Sequence, residues 1–301
     1  MRRCLRCETV FPETGDILLQ ERLDACPACG YAPECQEGIP LYAPELAGGN
    51  DSYGGDFFAH LAQLEKGHFW FEARNRLILT LIRRHFAGAQ RIMEIGCGTG
   101  FVLQHLTAHL PAAKFYGSDI YVEGLRFAGQ RVPAATLLQM DARHVPYERA
   151  FDLIGAFDVI EHIDEDDQAL TQMYRALKPG GGLLISVPQH RFLWSMVDEV
   201  SYHKRRYERD ELVARVEAAG FQVIETTSFV SLLLPLMMLT RSRKAHPTAE
   251  QSEFDLYAEF KLRAPLNRVL SAVMAVETAA IRSGAHFRYG GSRLLAARRP
   301  S

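Results

Sequence analysis

Met93-Glu94-Ile95-Gly96-Cys97-Gly98-Thr99-Gly100 is the stretch whose reading decides the fold of this chain. Arg91 to Ile95 is a short apolar run of the kind a buried strand shows, and Phe101 to Leu110 carries apolar residues at helical spacing. Between them, three glycines at every second position permit a tight turn with positive φ and leave no side chain between backbone and ligand. Strand, glycine turn and helix together form the unit that opens the crevice of a doubly wound sheet to a ligand. A glycine turn alone does not separate nicotinamide, flavin and nucleotide sites. Here the spacing is G-x-G-x-G, with Glu94 inside the strand, which departs from the dinucleotide pattern G-x-G-x-x-G; no Gly-Lys-Ser/Thr follows, which excludes a P-loop.

Working outward, Lys114 to Ser118 reads as the second strand and ends on Asp119, where a carboxylate can take ribose hydroxyls. Ala135 to Gln139 is the third strand and leads to Met140, Asp141 and Ala142; Phe151 to Phe157 is the fourth and ends at Asp158. Leu177 to Gly182 turns into a fifth strand over Leu183 to Val187. Asp210 to Gly220 reads as a helix stopped by glycine, Phe221 to Thr226 as the sixth strand and Ser292 to Arg298 as the last. This alternation predicts an α/β fold with a doubly wound, mostly parallel seven-stranded sheet. Glu94, Asp119, Asp141 and Asp158, at successive strand ends, then face one crevice.

These motifs, in this order from Arg91 to Pro188, resemble those of the class I S-adenosylmethionine-dependent methyltransferases. The resemblance implies a Rossmann-like fold that binds S-adenosylmethionine. Gly96 and Gly98, within the turn that Cys97 and Gly100 complete, would approach the methionine part and ribose. Asp119, next to Ile120, would hold the ribose hydroxyls, and Asp141 with Ala142 would receive the adenine amino group. Glu94, Phe157 and Asp158 complete the expected cofactor set. The aromatic run from His68 to Phe71 is similar to a helix that precedes the fold in relatives of the ubiquinone O-methyltransferases. That similarity makes Arg74, with Arg76 as substitute, the candidate to grip the cofactor's carboxylate through a planar guanidinium. Trp70 would exclude water; packing into the core is the competing reading of these aromatics.

On the acceptor side, Asp158, Glu161 and His162 resemble the Glu-x-x-Glu-His run of the same O-methyltransferases, with Asp in place of the first Glu; there a bound Mg²⁺ would orient a substrate hydroxyl. The commoner reading is that Glu161 and His162 close the pocket floor without metal. His162, His190 and His203 are the candidate catalytic residues, because imidazole titrates near working pH. Lys204, Arg205 and Arg206 could neutralise an acidic acceptor, and Asp164 to Asp167 reads as a charge cluster that suits a helix N-terminus.

Cys4-x-x-Cys7 and Cys26-x-x-Cys29 are separated by eighteen residues and fit the two knuckles of a four-cysteine structural zinc site; a redox dithiol or a disulfide pair is the alternative. Cys35 reads as a spare thiol and Cys97 as a small packing residue. The expected organisation is a zinc ribbon over 1–39, a linker over 40–55 and a methyltransferase domain over 56–301, with a helical insertion at 229–285 before the last strand.

Charge narrows the partners. Residues 1–50 hold four arginines, no lysine and eight acids. Phosphate backbones need the opposite sign, so nucleic acid is disfavoured and a protein partner or lid role is preferred for the ribbon. The N-terminus lacks the apolar stretch of a secretion signal, and no apolar run reaches the ~20 residues that span a bilayer. A cytoplasmic, non-transmembrane protein is expected. From Arg241 onward eleven basic residues face five acids, beside the apolar Phe229 to Leu239, which suits either a cap over the site or contact with a membrane surface. The expected activity is methyl transfer to a small-molecule or lipid-linked acceptor, with oxygen preferred. Alternatives are a non-catalytic cofactor-binding protein that recruits a partner through its ribbon, and a ribosomal-RNA methyltransferase.

Overall fold

The computed structural model describes residues 1–12, 25–47, 57–242 and 262–301. The ribbon contributes β1 (Arg2–Arg3) and β2 (Val10–Phe11), an antiparallel pair, and the hairpin β3 (Glu34–Gln36) and β4 (Ile39–Leu41). Helices α1 (Phe57–Glu65) and α2 (Phe69–His85) lead into alternating elements: β5 (Arg91–Ile95), α3 (Phe101–His109), β6 (Lys114–Asp119), α4 (Val122–Arg131), β7 (Thr136–Gln139) and β8 (Phe151–Phe157). Then come α5 (Asp166–Ala176), β9 (Leu177–Pro188), α6 (Met196–Val200), α7 (Arg209–Ala218), β10 (Gln222–Phe229), α8 (Leu234–Ser242), α9 (Ala264–Arg282) and β11 (Ser292–Arg298).

The expected seven strands lie side by side as β10-β11-β9-β8-β5-β6-β7, parallel from β9 to β7, with β11 antiparallel to both neighbours. Central strands are covered on both faces, so they read as mostly apolar runs and not as an alternation of apolar and polar residues. Leu294 and Ala296 of β11 join the core beneath Leu77, Leu81 and Ile82 of α2, together with Met274 and Ile281 of α9. Leu295 and Ala297 point the other way, to Leu170 and Met173 of α5 and Leu212 and Val216 of α7. That alternation is the two-residue period of a pleated strand.

The sheet differs from expectation at its far edge, where it has nine strands. The ribbon's β4 adds in parallel to β7, pairing Leu41 with Gln139, and β3 follows. An uncovered β7 would present a row of unpaired backbone groups, and the hairpin covers them. Gln139 reinforces the join: its side chain accepts from Ala43 N–H at 3.0 Å and donates to the Ala43 carbonyl at 2.6 Å. On its other side the ribbon pairs with the turn before β8, through Arg3 N–H to the Pro146 carbonyl at 3.1 Å and Glu148 N–H to the Met1 carbonyl at 3.0 Å. The boundary expected between residues 39 and 40 thus falls inside β4, and the expected linker opens with a strand end and a short 3-10 turn at Pro44–Leu46. Residues 48–55 of that linker lie outside the described residues.

Three local readings are corrected. The fifth strand begins at Leu177, not Leu183: Leu177 pairs with Phe151 and Gly182 with Leu153, so the intervening residues bulge out within one continuous strand. The sequence pattern predicts a long amphipathic helix over Glu253 to Ser283 interrupted at Pro265; Pro265 instead lies in the first turn of α9, where a missing N–H costs nothing, and residues 253–261 lie outside the described residues. Asp166 is more than a dipole partner at the start of α5. Fully buried, it accepts from Tyr207 Oη at 2.5 Å and from Arg215 Nη1 at 2.7 Å, tying α5 to α7.

Candidate functional site

The strand ends and glycine turn open into one cavity of about 980 Å³. Gly96, Gly98 and Gly100 all have positive φ, but they serve different ends. A Cβ on Gly96 would come within 2.4 Å of Val159 Cγ2, and one on Gly100 within 2.8 Å of Ala128 Cα, so those two glycines let the turn approach its neighbours. A Cβ on Gly98 would meet nothing within 4 Å; it faces open space. Gly100, expected at the cofactor, is therefore a packing residue between α3 and α4 and does not line the cavity.

Asp119 ends β6 with both carboxylate oxygens held by backbone: Gly98 N–H donates to Oδ2 at 2.9 Å and Tyr121 N–H to Oδ1 at 3.0 Å. Each oxygen keeps a lone pair for a further donor such as a diol. Burial raises its pKa, and the N–H groups of Tyr121, Gly98 and Ile120 limit the rise. Glu94 lines the same cavity with Oε2 unpartnered; burial pushes its carboxyl up to about 8, against the opposing charge of Arg74. Asp141 behaves otherwise. Burial would raise it, but hydrogen bonds from Arg143, at 2.8 Å from the backbone N–H and 2.9 Å from Nε, hold it below the ordinary carboxylate range. Cys97, Ile120, Ala142 and Phe157 also line the cavity, and the buried Cys97 thiol is raised well above its usual range, which suits packing and not nucleophilic attack.

Arg74 reaches the cavity wall from α2, stacked 4.7 Å from the Trp70 ring centre, and donates to Asp158 Oδ2 at 2.6 Å. Asp158 has a φ of 58°, uncommon outside glycine, and also accepts from Ser186 Oγ at 3.2 Å. The pair sets a guanidinium beside Glu94 without leaving it unpaired. Arg76, the expected substitute, does not line the cavity.

His162, Tyr202, His203 and Lys204 line the same cavity. His203 Nδ1 is 2.9 Å from Asp198 Oδ1, and Arg206 clamps the same carboxylate at 2.7 and 3.0 Å. Although burial opposes ionisation, those partners hold Asp198 well below the carboxylate range, so it fixes the imidazole and leaves Nε2 for other work. His162, ring centre 4.8 Å from that of His203, is lowered to about 4 by burial and by its neighbour, and is neutral at ordinary pH. His190, expected as a base, lies outside this cavity: it is stacked between Phe192 and Tyr289, with Nδ1 3.0 Å from Glu208 Oε2. Tyr207 is likewise absent from the cavity wall, committed to Asp166.

The trio expected for a divalent ion, Asp158, Glu161 and His162, is not the one the fold assembles. Asp158 is taken by Arg74, whereas Glu161, His162 and His203 offer ligand atoms within 4.8 Å of one another. Glu161 is fully buried with neither oxygen partnered, and burial raises it far above the carboxylate range. The four ribbon cysteines also lie together, with Cys4 and Cys29 sulfurs 3.6 Å apart and Cys7 and Cys26 sulfurs 3.5 Å apart. A tetrahedral Zn–S₄ centre sets sulfurs about 3.8 Å apart, so this donor set fits one structural zinc. Cys35, exposed in β3, is not part of it.

Helix α1 also walls the cavity, a role that no motif in the sequence announces. Phe57, Phe58, Leu61 and Leu64 of α1 line the cavity, as do Pro44 to Leu46 after the ribbon. Glu65 anchors α1 to the glycine turn, accepting from Thr99 Oγ1 at 2.7 Å and Arg131 Nη1 at 2.5 Å. The Phe57-Phe58 pair was a readable hint; the Glu65, Thr99 and Arg131 triangle spans too much sequence to have been read.

A methyltransferase-domain family model matches residues 60–226. The chain belongs to that methyltransferase family. Over 167 residues it is 28% identical to a Mycolicibacterium smegmatis protein named "Probable S-adenosylmethionine-dependent methyltransferase", covering 54% of this chain and 63% of that one. Over 137 residues it is 30% identical to the malonyl-[acyl-carrier protein] O-methyltransferase of Haemophilus ducreyi, covering 43% and 53%. Both matches span less than two thirds of the relative's own length. The fold matches the solved structure of a provisionally named methyltransferase from Bacillus halodurans, with a TM-score of 0.50 at 17% identity, over 75% of this chain and 99% of the other. The methyltransferase fold thus carries the glycine turn, Asp119 and Asp141 at the strand ends where such a domain opens its crevice.

Proposed function

We propose that this methyltransferase-family protein binds S-adenosylmethionine along the strand ends and transfers its methyl group to a small-molecule or lipid-linked acceptor, with oxygen as the receiving atom. The observation that carries the reading is one cavity lined by the glycine turn, a backbone-held Asp119, an unpartnered Glu94 and the Asp198-oriented His203. Asp119 takes the ribose hydroxyls, Asp141 and Ala142 the adenine edge, and Glu94 with the Arg74–Asp158 pair the amino-acid end. When bound, the cofactor supplies an electrophilic methyl on a sulfonium. His203 accepts the acceptor's proton while Trp70, Phe71 and the α1 aromatics keep water out, so most of the rate comes from alignment in a dry cavity. The name of the Haemophilus relative supports oxygen as acceptor atom.

Leu232, Leu236, Met238 and Leu239 in and before α8, and Val269 and Val276 on α9, are exposed apolar side chains, which favours an acceptor delivered at a lipid surface. No described helix is long and apolar enough to cross a membrane. The test is release of S-adenosylhomocysteine, followed by mass spectrometry, across carboxylate, hydroxyl and acyl-carrier-linked acceptors presented with and without vesicles. Turnover with an oxygen acceptor supports the reading; cofactor binding without turnover on any acceptor would leave the non-catalytic alternative.

A further inference from the structure

A second cavity of about 660 Å³ opens between α7, β10 and the turn at His286 to Arg288, and shares no lining residue with the first. At its base is Arg293 of β11, only 1% exposed. Its guanidinium donates to neutral groups: Thr226 Oγ1 at 3.0 Å, Ser228 Oγ at 2.9 Å and the Arg288 carbonyl at 2.6 Å. Nε is buried with no partner, and among the described residues no carboxylate lies within ion-pair distance. Arg74 and Arg206, buried comparably, each have an aspartate. An unpaired buried cation is costly, and a fold that keeps one calls for a counter-ion.

The surroundings are cationic as well. Arg209, at the start of α7, and Arg288 both line the cavity and are exposed; Arg209 Nη1 is 2.9 Å from Asp210 Oδ1, an exposed pair that solvent screens. Burial first, and then Arg209 and Arg288, draw the Arg293 guanidinium down to about 10, while Glu208 and Asp210 act the other way. Of the two acids in the wall, Glu225 is already committed to Arg84 at 2.6 Å and His85 at 2.5 Å; Glu217 stands exposed at the rim.

We propose that this cavity is a binding site for a phosphate group, with Arg293 at its base and Arg209 and Arg288 at its mouth. Guanidinium forks match the oxygens of a phosphate in charge and in spacing. The group comes either from a soluble phosphate compound or from an anionic lipid headgroup, and the apolar Val213, Ile224 and Phe287 in the same wall suit either.

The experiment uses the full chain in equilibrium dialysis with radiolabelled inorganic phosphate, and in co-sedimentation with phosphatidic acid vesicles against phosphatidylcholine vesicles. Saturable binding of either probe is expected, weakened about tenfold or more by Arg209→Gln with Arg288→Gln, while affinity for S-adenosylmethionine stays unchanged. Because both substituted residues are exposed, the double variant tests the site even if Arg293→Met fails to fold. Phosphate binding alone assigns a soluble ligand, and vesicle binding that phosphate competes away assigns a headgroup. No saturable binding of either probe, binding that survives the double variant, or binding that S-adenosylmethionine displaces would overturn the proposal.

Discussion

Glu94 should make cofactor binding depend on pH in a direction fixed by its surroundings. It is 3% exposed, Oε2 has no partner, and its carboxyl is pushed up to about 8 from an ordinary 4.5. One pH unit below that value, at pH 7, about nine in ten empty sites carry the proton. A ligand with an ammonium and a sulfonium beside this carboxyl favours its ionised form, so binding expels the proton. Affinity should rise close to tenfold per pH unit between about pH 5 and 7 and level off above about 8.5. The matching effect on stability has the opposite slope. Because the folded state holds this proton more tightly than the unfolded chain, Glu94 destabilises progressively as pH climbs from 4.5 to 8, approaching about 5 kcal/mol. Glu94→Gln removes the titration while keeping the shape. Urea melts of parent and variant from pH 5 to 8.5 should show the variant gaining about 1.4 kcal/mol per pH unit relative to the parent, with the contributions of Asp119, Glu161 and Glu277 cancelling in the difference. Calorimetric titration with S-adenosylmethionine in buffers of different ionisation enthalpy should show release of about 0.9 proton at pH 7 for the parent and less for the variant. A stability difference flat with pH, together with equal proton release from both proteins, would refute this account of Glu94.

Further outcomes follow from the same geometry. Asp119→Ala removes a charged acceptor and frees two backbone N–H groups, and should weaken S-adenosylmethionine binding by about 10- to 150-fold in calorimetry; an unchanged Kd would remove Asp119 from the ribose site. His203→Ala should abolish turnover with little change in cofactor affinity, whereas His190→Ala should leave turnover near the parent's; equal losses would undo the division between the two histidines. Metal analysis should find one zinc per chain, lost in Cys4→Ser. Since the ribbon's β4 covers the edge of β7, that variant should also melt at a lower temperature; an unchanged melting curve would argue that the ribbon does not support the sheet.

The parallel core was legible because its strands are buried on both faces and four of the five, β5 to β8, run out at or within two residues of Gly96, Asp119, Asp141 or Asp158. Asp119 could be read from its distance to the glycines, and the four cysteines from their spacing. What stayed hidden depends on contacts between distant segments. The edge role of residues 39–41 is decided by backbone pairing with β7, which leaves no side-chain pattern to read. Gly100 looks like its neighbours in sequence, and only the approach of Ala128 reveals its task. His190 and His203 are equivalent as letters; Asp198 and Glu208 fix them in different places. Asp166 read as a dipole partner because its acceptance of Tyr207 and Arg215, forty or more residues away, has no local signature.

Titration calorimetry of the full chain with S-adenosylmethionine, parent against Gly98→Arg, tests the strand-end cradle most directly. Gly98 faces open cavity, so an arginine there fills the place assigned to the nucleoside. One saturable site per chain in the parent, lost in a variant whose circular dichroism is unchanged, is the predicted result. Equal binding by both folded proteins, or none by the parent, would contradict it.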